Sequence, residues 1–135
     1  MITREADYAI RMIQYLADHY DSSVPATAKD ISEVMEIPYR HLRLIAGKLS
    51  NAGILKSWRG SSGGYWLNKD PQELSLFEVL EAIAPRSFML NMCMDKNTPC
   101  HRASYCKVHE QLENLQENVN KSLSNIYFDQ LKQGR

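Results

Sequence analysis

Residues 27–67 read TAKDISEVMEIPYRHLRLIAGKLSNAGILKSWRGSSGGYWL, and this stretch decides the fold. It opens on Thr27-Ala28-Lys29-Asp30, a capping-box-like start with Asp in the place of the usual Glu or Gln. Ile31, Val34 and Met35 give a short helix its inward face. Glu36-Ile37 makes a tight turn, and Pro38 suits the first turn of the next helix, where its missing N–H needs no partner. That helix turns Leu42, Ile45, Ala46 and Leu49 inward and ends near Gly53. Two short helices joined by a turn of about four residues describe a helix-turn-helix. Ile54 to Trp58 then reads as a strand, Arg59-Gly60-Ser61-Ser62-Gly63-Gly64 as a glycine-rich turn, and Tyr65-Trp66-Leu67 as the returning strand. A helix-turn-helix followed by such a hairpin is a winged helix, with the wing at about residues 54–67. No GK[ST] and no helix start follow the glycines, which argues against a phosphate-cradling nucleotide loop.

The charge distribution points the same way. Net charge is zero, yet residues 37–69 carry six basic side chains and no acidic one, while residues 1–36 carry three basic and seven acidic. A basic block in a neutral chain is the footprint of a phosphate-facing surface. Tyr39, Arg40 and Arg43 lie on the exposed N-terminal face of the second helix, where side chains enter a major groove. The arginine fork matches guanine O6 and N7. Arg59, at the mouth of the wing, suits a minor groove, and Lys48, Lys56 and Lys69 suit phosphates. Gly60, Ser61, Ser62 and Gly63 complete the candidate DNA-binding set. A helical hairpin with surface arginines is the plain alternative, and the wing weakens it.

Outside this stretch, Tyr8, Met12, Ile13 and Leu16 recur at helical spacing and predict a first helix over about 5–19, broken by Asp21-Ser22-Ser23 and Pro25. Ser75-Leu76-Phe77-Glu78 is a capping box for a helix that ends before Pro85. Residues 86–105 lack helical periodicity. From Val108 the period returns as Val108, Leu112, Leu115, Val119, Leu123 and Ile126, spaced 4, 3, 4, 4 and 3. So narrow a stripe reads as a coiled-coil seam. A second copy of the same helix is its simplest partner, giving a homodimer with paired reading heads; packing back on the first helix is the alternative. The expected organisation is a winged helix-turn-helix domain over 1–85, a cysteine-bearing loop over 86–107 and a dimerisation helix over 108–135, in a mainly α chain.

Of the 135 residues 44% are hydrophobic and 24% charged, which suits one small globular domain with an appendage. No apolar run approaches the roughly 20 residues of a membrane span, and Met1-Ile2-Thr3-Arg4-Glu5 shows no apolar signal segment. A cytoplasmic setting, where thiols stay reduced, is therefore expected. Cys93, Cys100 and Cys106 are the chain's three cysteines, and with His109 they run C-x6-C-x5-C-x2-H. Structural zinc, an iron–sulfur cluster and reversible redox thiols all fit soft ligands at this density. Unrelated buried cysteines fit poorly, because Asp95, Lys96, Asn97, Thr98 and Pro99 make the loop polar. His101, His19 and His41 are weaker ligand candidates. Catalysis is not expected, since no paired carboxylates in a cleft, Ser/His/Asp set or cofactor fingerprint is present.

Taken together, Asp7-Tyr8-Ala9-Ile10-Arg11, Ala28-Lys29-Asp30-Ile31-Ser32, Arg59-Gly60-Ser61-Ser62-Gly63-Gly64-Tyr65, Leu76-Phe77-Glu78-Val79 and the cysteine trio make nearly the whole chain resemble the winged-helix iron–sulfur transcription regulators typified by IscR, NsrR and RirA. The resemblance implies a homodimer that represses or activates genes from a double-stranded operator as a 2Fe–2S or 4Fe–4S cluster is gained, lost or modified. It implies Cys93, Cys100 and Cys106 as iron ligands, with the fourth from His109, as in IscR, or from Asp7 of the other subunit, as in NsrR. The first two cysteines stand one residue further apart than in IscR, and Arg43 occupies a position where IscR carries glutamate. A zinc-stapled nucleic-acid-binding module, a thiol-based redox regulator and a cluster-delivery protein are the rival readings.

Overall fold

A computed structural model describes residues 1–61 and 63–134. The head is built around α1 (Arg4–Asp18), whose N-terminus is capped by Thr3 Oγ1, accepting the Ala6 N–H at 3.1 Å. Ala6, Ala9, Met12, Ile13, Leu16 and Ala17 form its buried stripe. Helix α2 (Ala28–Met35) is capped by Thr27 in the same way, and α3 (Tyr39–Asn51) follows with Pro38 at its N-cap. The expected inward faces hold with one correction. Val34 is exposed, and Ala28 joins Ile31 and Met35 in the core instead, because one helical turn separates Ala28 from Ile31.

The turn between α2 and α3 is held by polar groups. Glu36 adopts φ 55°, Ile37 N–H donates to Ser32 O, and Ser32 Oγ donates to Ile37 O at 2.6 Å. From α1, the Arg11 guanidinium donates to the Met35 and Glu36 carbonyls, satisfying groups a helix end leaves open. Helix α3 ends in a Schellman motif: Gly53 at φ 77° lets Ile54 N–H reach Leu49 O and Gly53 N–H reach Ser50 O.

Strands β1 (Leu55–Trp58) and β2 (Gly64–Leu67) pair antiparallel, Leu55 opposite Leu67 and Trp58 opposite Gly64. Leu55 and Leu67 point into the core. The hairpin is fastened to the chain before α2 through Ala26 and Tyr65, which exchange backbone hydrogen bonds of 3.1 and 2.8 Å. This approach explains Gly64: a Cβ there would lie 2.4 Å from Ala26 O. Helix α4 (Leu76–Ile83), capped by Ser75 Oγ, closes the core with Val79, Leu80 and Ile83.

Helix α5 (Lys107–Ser124) follows the cysteine loop and is the longest element. None of its residues is buried, and Val108 and Leu115 are 65% and 53% exposed. It touches α4 and a short 3-10 turn, Met92–Met94. The chain then returns to the head, where the sequence reading had continued the dimerisation helix to residue 135. Leu76 N–H donates to Ile126 O at 2.7 Å, Phe128 N–H to Leu74 O at 3.0 Å and Asp129 N–H to Pro71 O at 3.1 Å. Phe128, opening the 3-10 turn Phe128–Leu131, is fully buried in the head core. Ile126, read as the last seam residue, therefore belongs to the segment that docks on the head. Phe128→Ala should destabilise the head by about 3–5 kcal/mol, the usual cost of emptying a buried aromatic site. Urea unfolding followed by far-UV circular dichroism would measure the loss.

Candidate metal centre and nucleic-acid interface

The loop between α4 and α5 is ordered by three polar devices. At its start, the Gln116 amide on α5 accepts from Leu90 N–H at 2.7 Å and donates to Phe88 O at 2.8 Å, mimicking one step of strand pairing. In its middle, Asp95 is only 6% exposed. Its carboxylate accepts from Asn97 N–H at 2.9 Å and Thr98 Oγ1 at 3.0 Å, and Arg86 Nη1 lies 3.4 Å away. The Asn97 amide first, then the Thr98 hydroxyl and the Arg86 charge, hold the Asp95 carboxyl below the usual carboxylate range, against the opposing effect of burial. At its end, Cys106 is the N-cap of α5, its sulfur accepting the His109 N–H at 3.4 Å.

These devices place the candidate ligands. Cys93 sits in the 3-10 turn packed on α5, with Asn91 Nδ2 3.5 Å from its sulfur. Cys100 begins the run of turns that enters α5. All three cysteines are free and half-buried. His109 lies one helical turn beyond Cys106, its side chain 16% exposed. Its Nδ1 is buried without a hydrogen-bond partner, and its Nε2 lies 3.9 Å from Glu113. Asp7 is engaged, by contrast: Arg11 Nη2 stands 2.7 Å from its carboxylate. Among the described residues no three His, Cys, Asp or Glu side chains converge closely enough to hold a metal. The donor set is chemically right for iron–sulfur or zinc, and the buried Nδ1 of His109 has no hydrogen-bond partner of its own. His19 is occupied elsewhere, stacked on Tyr15 with its Nδ1 2.7 Å from Tyr15 O. His41 lies against Tyr8.

The second candidate surface is a groove of about 800 Å³ between α3 and the wing, lined by Tyr39, Arg43, Trp58, Arg59, Gly60 and Tyr65 among others. Arg43 Nη1 donates to Tyr65 Oη at 3.1 Å. Arg40, Lys56 and Arg59 have no ion-pair partner among the described residues, whereas Lys48 pairs with Glu5 and Lys69 with Glu78. Lys48 and Lys69 therefore meet phosphate with part of their charge already matched by a carboxylate, each with N–H donors left over. Gly60, at φ 110°, and Gly63, where a Cβ would meet Trp58 O at 2.2 Å, are explained by the turn itself. Ser61 lines the groove, and Ser62 lies outside the described residues.

A family profile described as Rrf2, an iron-dependent transcriptional regulator, matches residues 2–134. The chain belongs to the Rrf2 family. An rrf2-like HTH-type transcriptional regulator of Rhodobacter capsulatus is 32% identical over 82% of this chain and 77% of that protein. The HTH-type regulator IscR of Serratia proteamaculans is 29% identical over 96% of this chain and 77% of its own length. CymR, the global cysteine regulator of B. subtilis, shares the fold with a TM-score of 0.76 at 21% identity, over 97% of this chain and 95% of that one. The mainly helical, winged helix-turn-helix architecture expected from the sequence is thus shown, and the chain is a DNA-binding transcriptional regulator of the Rrf2 family. No described helix is long and apolar enough to cross a membrane.

Gln116, Asp95 and Trp58 shape these surfaces beyond the expected set. Gln116 falls between seam positions and passed for a solvated polar residue. Asp95 had a legible signal in Asp95-Lys96-Asn97-Thr98, a side chain poised to cap its own turn. Trp58, exposed on the wing with its ring edge-on to Trp66 at 6.4 Å, was read as strand only. Because the Asp95 carboxyl is held low in the folded chain, it stabilises the loop above about pH 4, the ordinary carboxylate value, and that contribution fades as pH falls through the depressed folded value. Asp95→Ala should therefore speed amide exchange across residues 93–98 at pH 7. The stability gap between variant and wild type should close progressively below about pH 4.

Proposed function

We propose that this Rrf2-family regulator is a homodimer whose operator affinity is set by an iron–sulfur cluster, 2Fe–2S or 4Fe–4S, held by Cys93, Cys100, Cys106 and His109. The observation that carries the choice of fourth ligand is the buried, unpartnered His109 Nδ1 beside the Cys106 cap, against an Asp7 already paired with Arg11. When bound, the group would supply chemistry that responds to iron supply, oxidants or nitric oxide.

The chain's own residues turn ligation into a change of shape. Cys93 and Cys100 lie on the loop, while Cys106 and His109 lie on the first turn of α5. Ligands shared between loop and helix would fasten the two together; without them Gln116 ties the loop to α5, and Asp95 holds the loop's own turn. Exposed Val108 and Leu115 form the seam along which a second copy packs, so α5 sets the spacing of the two heads. In the head, Tyr39, Arg40, Arg43 and Arg59 face the bases, and Lys48, Lys56 and Lys69, with the wing residues Gly60, Ser61 and Gly63, face the backbone of a double-stranded operator. A stimulus moves the equilibrium only as far as the two states differ in DNA affinity. The functional division follows: a reading head over 1–85, a sensing loop over 86–107 and a dimerisation helix beyond it, operating where thiols stay reduced in the cytoplasm.

A thiol-based redox regulator without a cluster is the second reading, favoured by three free, half-buried cysteines in one loop. Anaerobic purification with visible absorption and iron, sulfide and zinc assays separates the readings. The expected product is brown, with iron and sulfide in matching amounts. A colourless protein carrying zinc would make the loop a structural staple, and a colourless metal-free protein whose thiols oxidise reversibly would favour the second reading. Cys100→Ala should abolish the absorbance while the far-UV spectrum persists. His109→Ala should lose or bleach the cluster far faster than Asp7→Ala, and the reverse order would move the fourth ligand to Asp7 of the partner.

A further inference from the structure

We infer that Tyr65 is a positioning residue for sequence readout: its hydroxyl sets the Arg43 guanidinium to face one guanine in each half-site. The inference deepens the DNA-reading role proposed above and rests on it. Tyr65 belongs to the wing, not the recognition helix, and three observations converge on it. Its backbone is fixed by the paired hydrogen bonds to Ala26, at 3.1 and 2.8 Å. Its ring is buried in the head core. Its Oη nevertheless reaches into the groove and accepts from Arg43 Nη1 at 3.1 Å.

A surface arginine has many rotamers, and most of them carry the fork away from any one base edge. Arg43 has no acidic partner among the described residues, so the phenol is what selects its direction. A guanidinium has five N–H donors, and one bond to a phenol leaves the rest free. A bidentate contact to guanine O6 and N7 needs two of them, in a fixed plane. Fixing the fork before DNA arrives lowers the ordering cost of that contact. A phenol also suits the task better than a carboxylate would, since it directs the guanidinium without neutralising its charge. The same bond couples wing and recognition helix, so a tilt of the hairpin carries the arginine with it.

Tyr65→Phe removes the hydroxyl and keeps the buried ring. Full-length wild type, Tyr65→Phe, Arg43→Gln and the double variant would each be put through binding-site selection from a random duplex library. Affinity for a selected and a scrambled duplex would then be measured across a salt series. Wild type should select guanine at one position per half-site, and Arg43→Gln should lose that preference. Tyr65→Phe should relax the same position alone, by roughly 3- to 10-fold, the worth of one modest hydrogen bond. Its affinity for scrambled DNA and its salt slope should stay at the wild-type value. In the Arg43→Gln background Tyr65→Phe should change nothing further. A wild-type base profile in Tyr65→Phe would overturn the inference, as would an equal loss on all sequences or an effect that persists without Arg43. If Arg43→Gln leaves the profile intact, Arg43 is not a base reader and the underlying assignment fails instead.

Discussion

The burial of Phe128 constrains the rest of this molecule. An 18-residue helix with no buried residue cannot hold its own position, and α5 is such a helix. Its C-terminal end is held because the chain beyond it re-enters the head, pairs with backbone at Pro71, Leu74 and Leu76, and buries an aromatic ring against the core beside α1. Gln14 and Asp18 of α1 extend the tie by bonding the backbone at Leu131, Gln133 and Gly134. The end of α5 therefore moves with the reading head, and the tilt of α5 follows from what happens at its other end.

That other end is the cysteine loop. Gln116, Asp95 and the Cys106 cap give it a framework that owes nothing to a metal. The framework is mostly polar, however, and polar ties exchange with water at small net cost. A loop held this way can keep its approximate path while its three cysteine side chains shift. Packing the same segment with apolar side chains would make it more rigid.

The head is the stiffer partner. Its two reading elements, α3 and the wing, are joined through the core by Leu42, Ile45, Leu55 and Leu67, and across the groove by the Arg43–Tyr65 bond. Arg11 closes the turn between α2 and α3 from a third direction, with Asp7 beside it. The shared core and the Arg43–Tyr65 bond thus tie α3 and the wing into one packed unit.

Much of this was open to reading in the chain alone. Period, caps and breakers are local properties, so the helix-turn-helix, the hairpin, the Ser75 cap and the start of α5 could be placed from neighbours a few residues apart. Composition likewise located the basic face and gathered three thiols and an imidazole into one segment. What could not be read were relations between distant residues. Val34 kept the helical period but fell outside the buried arc. Ile126 continued the seam in sequence while the chain had already turned home. Gln116 and Tyr65 owe their roles to backbone and side chains that only folding brings within hydrogen-bond reach. The sequence by itself determined which elements form and which chemistry each carries, because those follow from short-range sterics and hydrophobic spacing. Tertiary structure alone decided that Gln116 braces the loop, that Tyr65 meets the arginine and that His109 Nδ1 has no partner, because a hydrogen bond between distant residues depends on distances of about 3 Å that no pattern along the chain encodes.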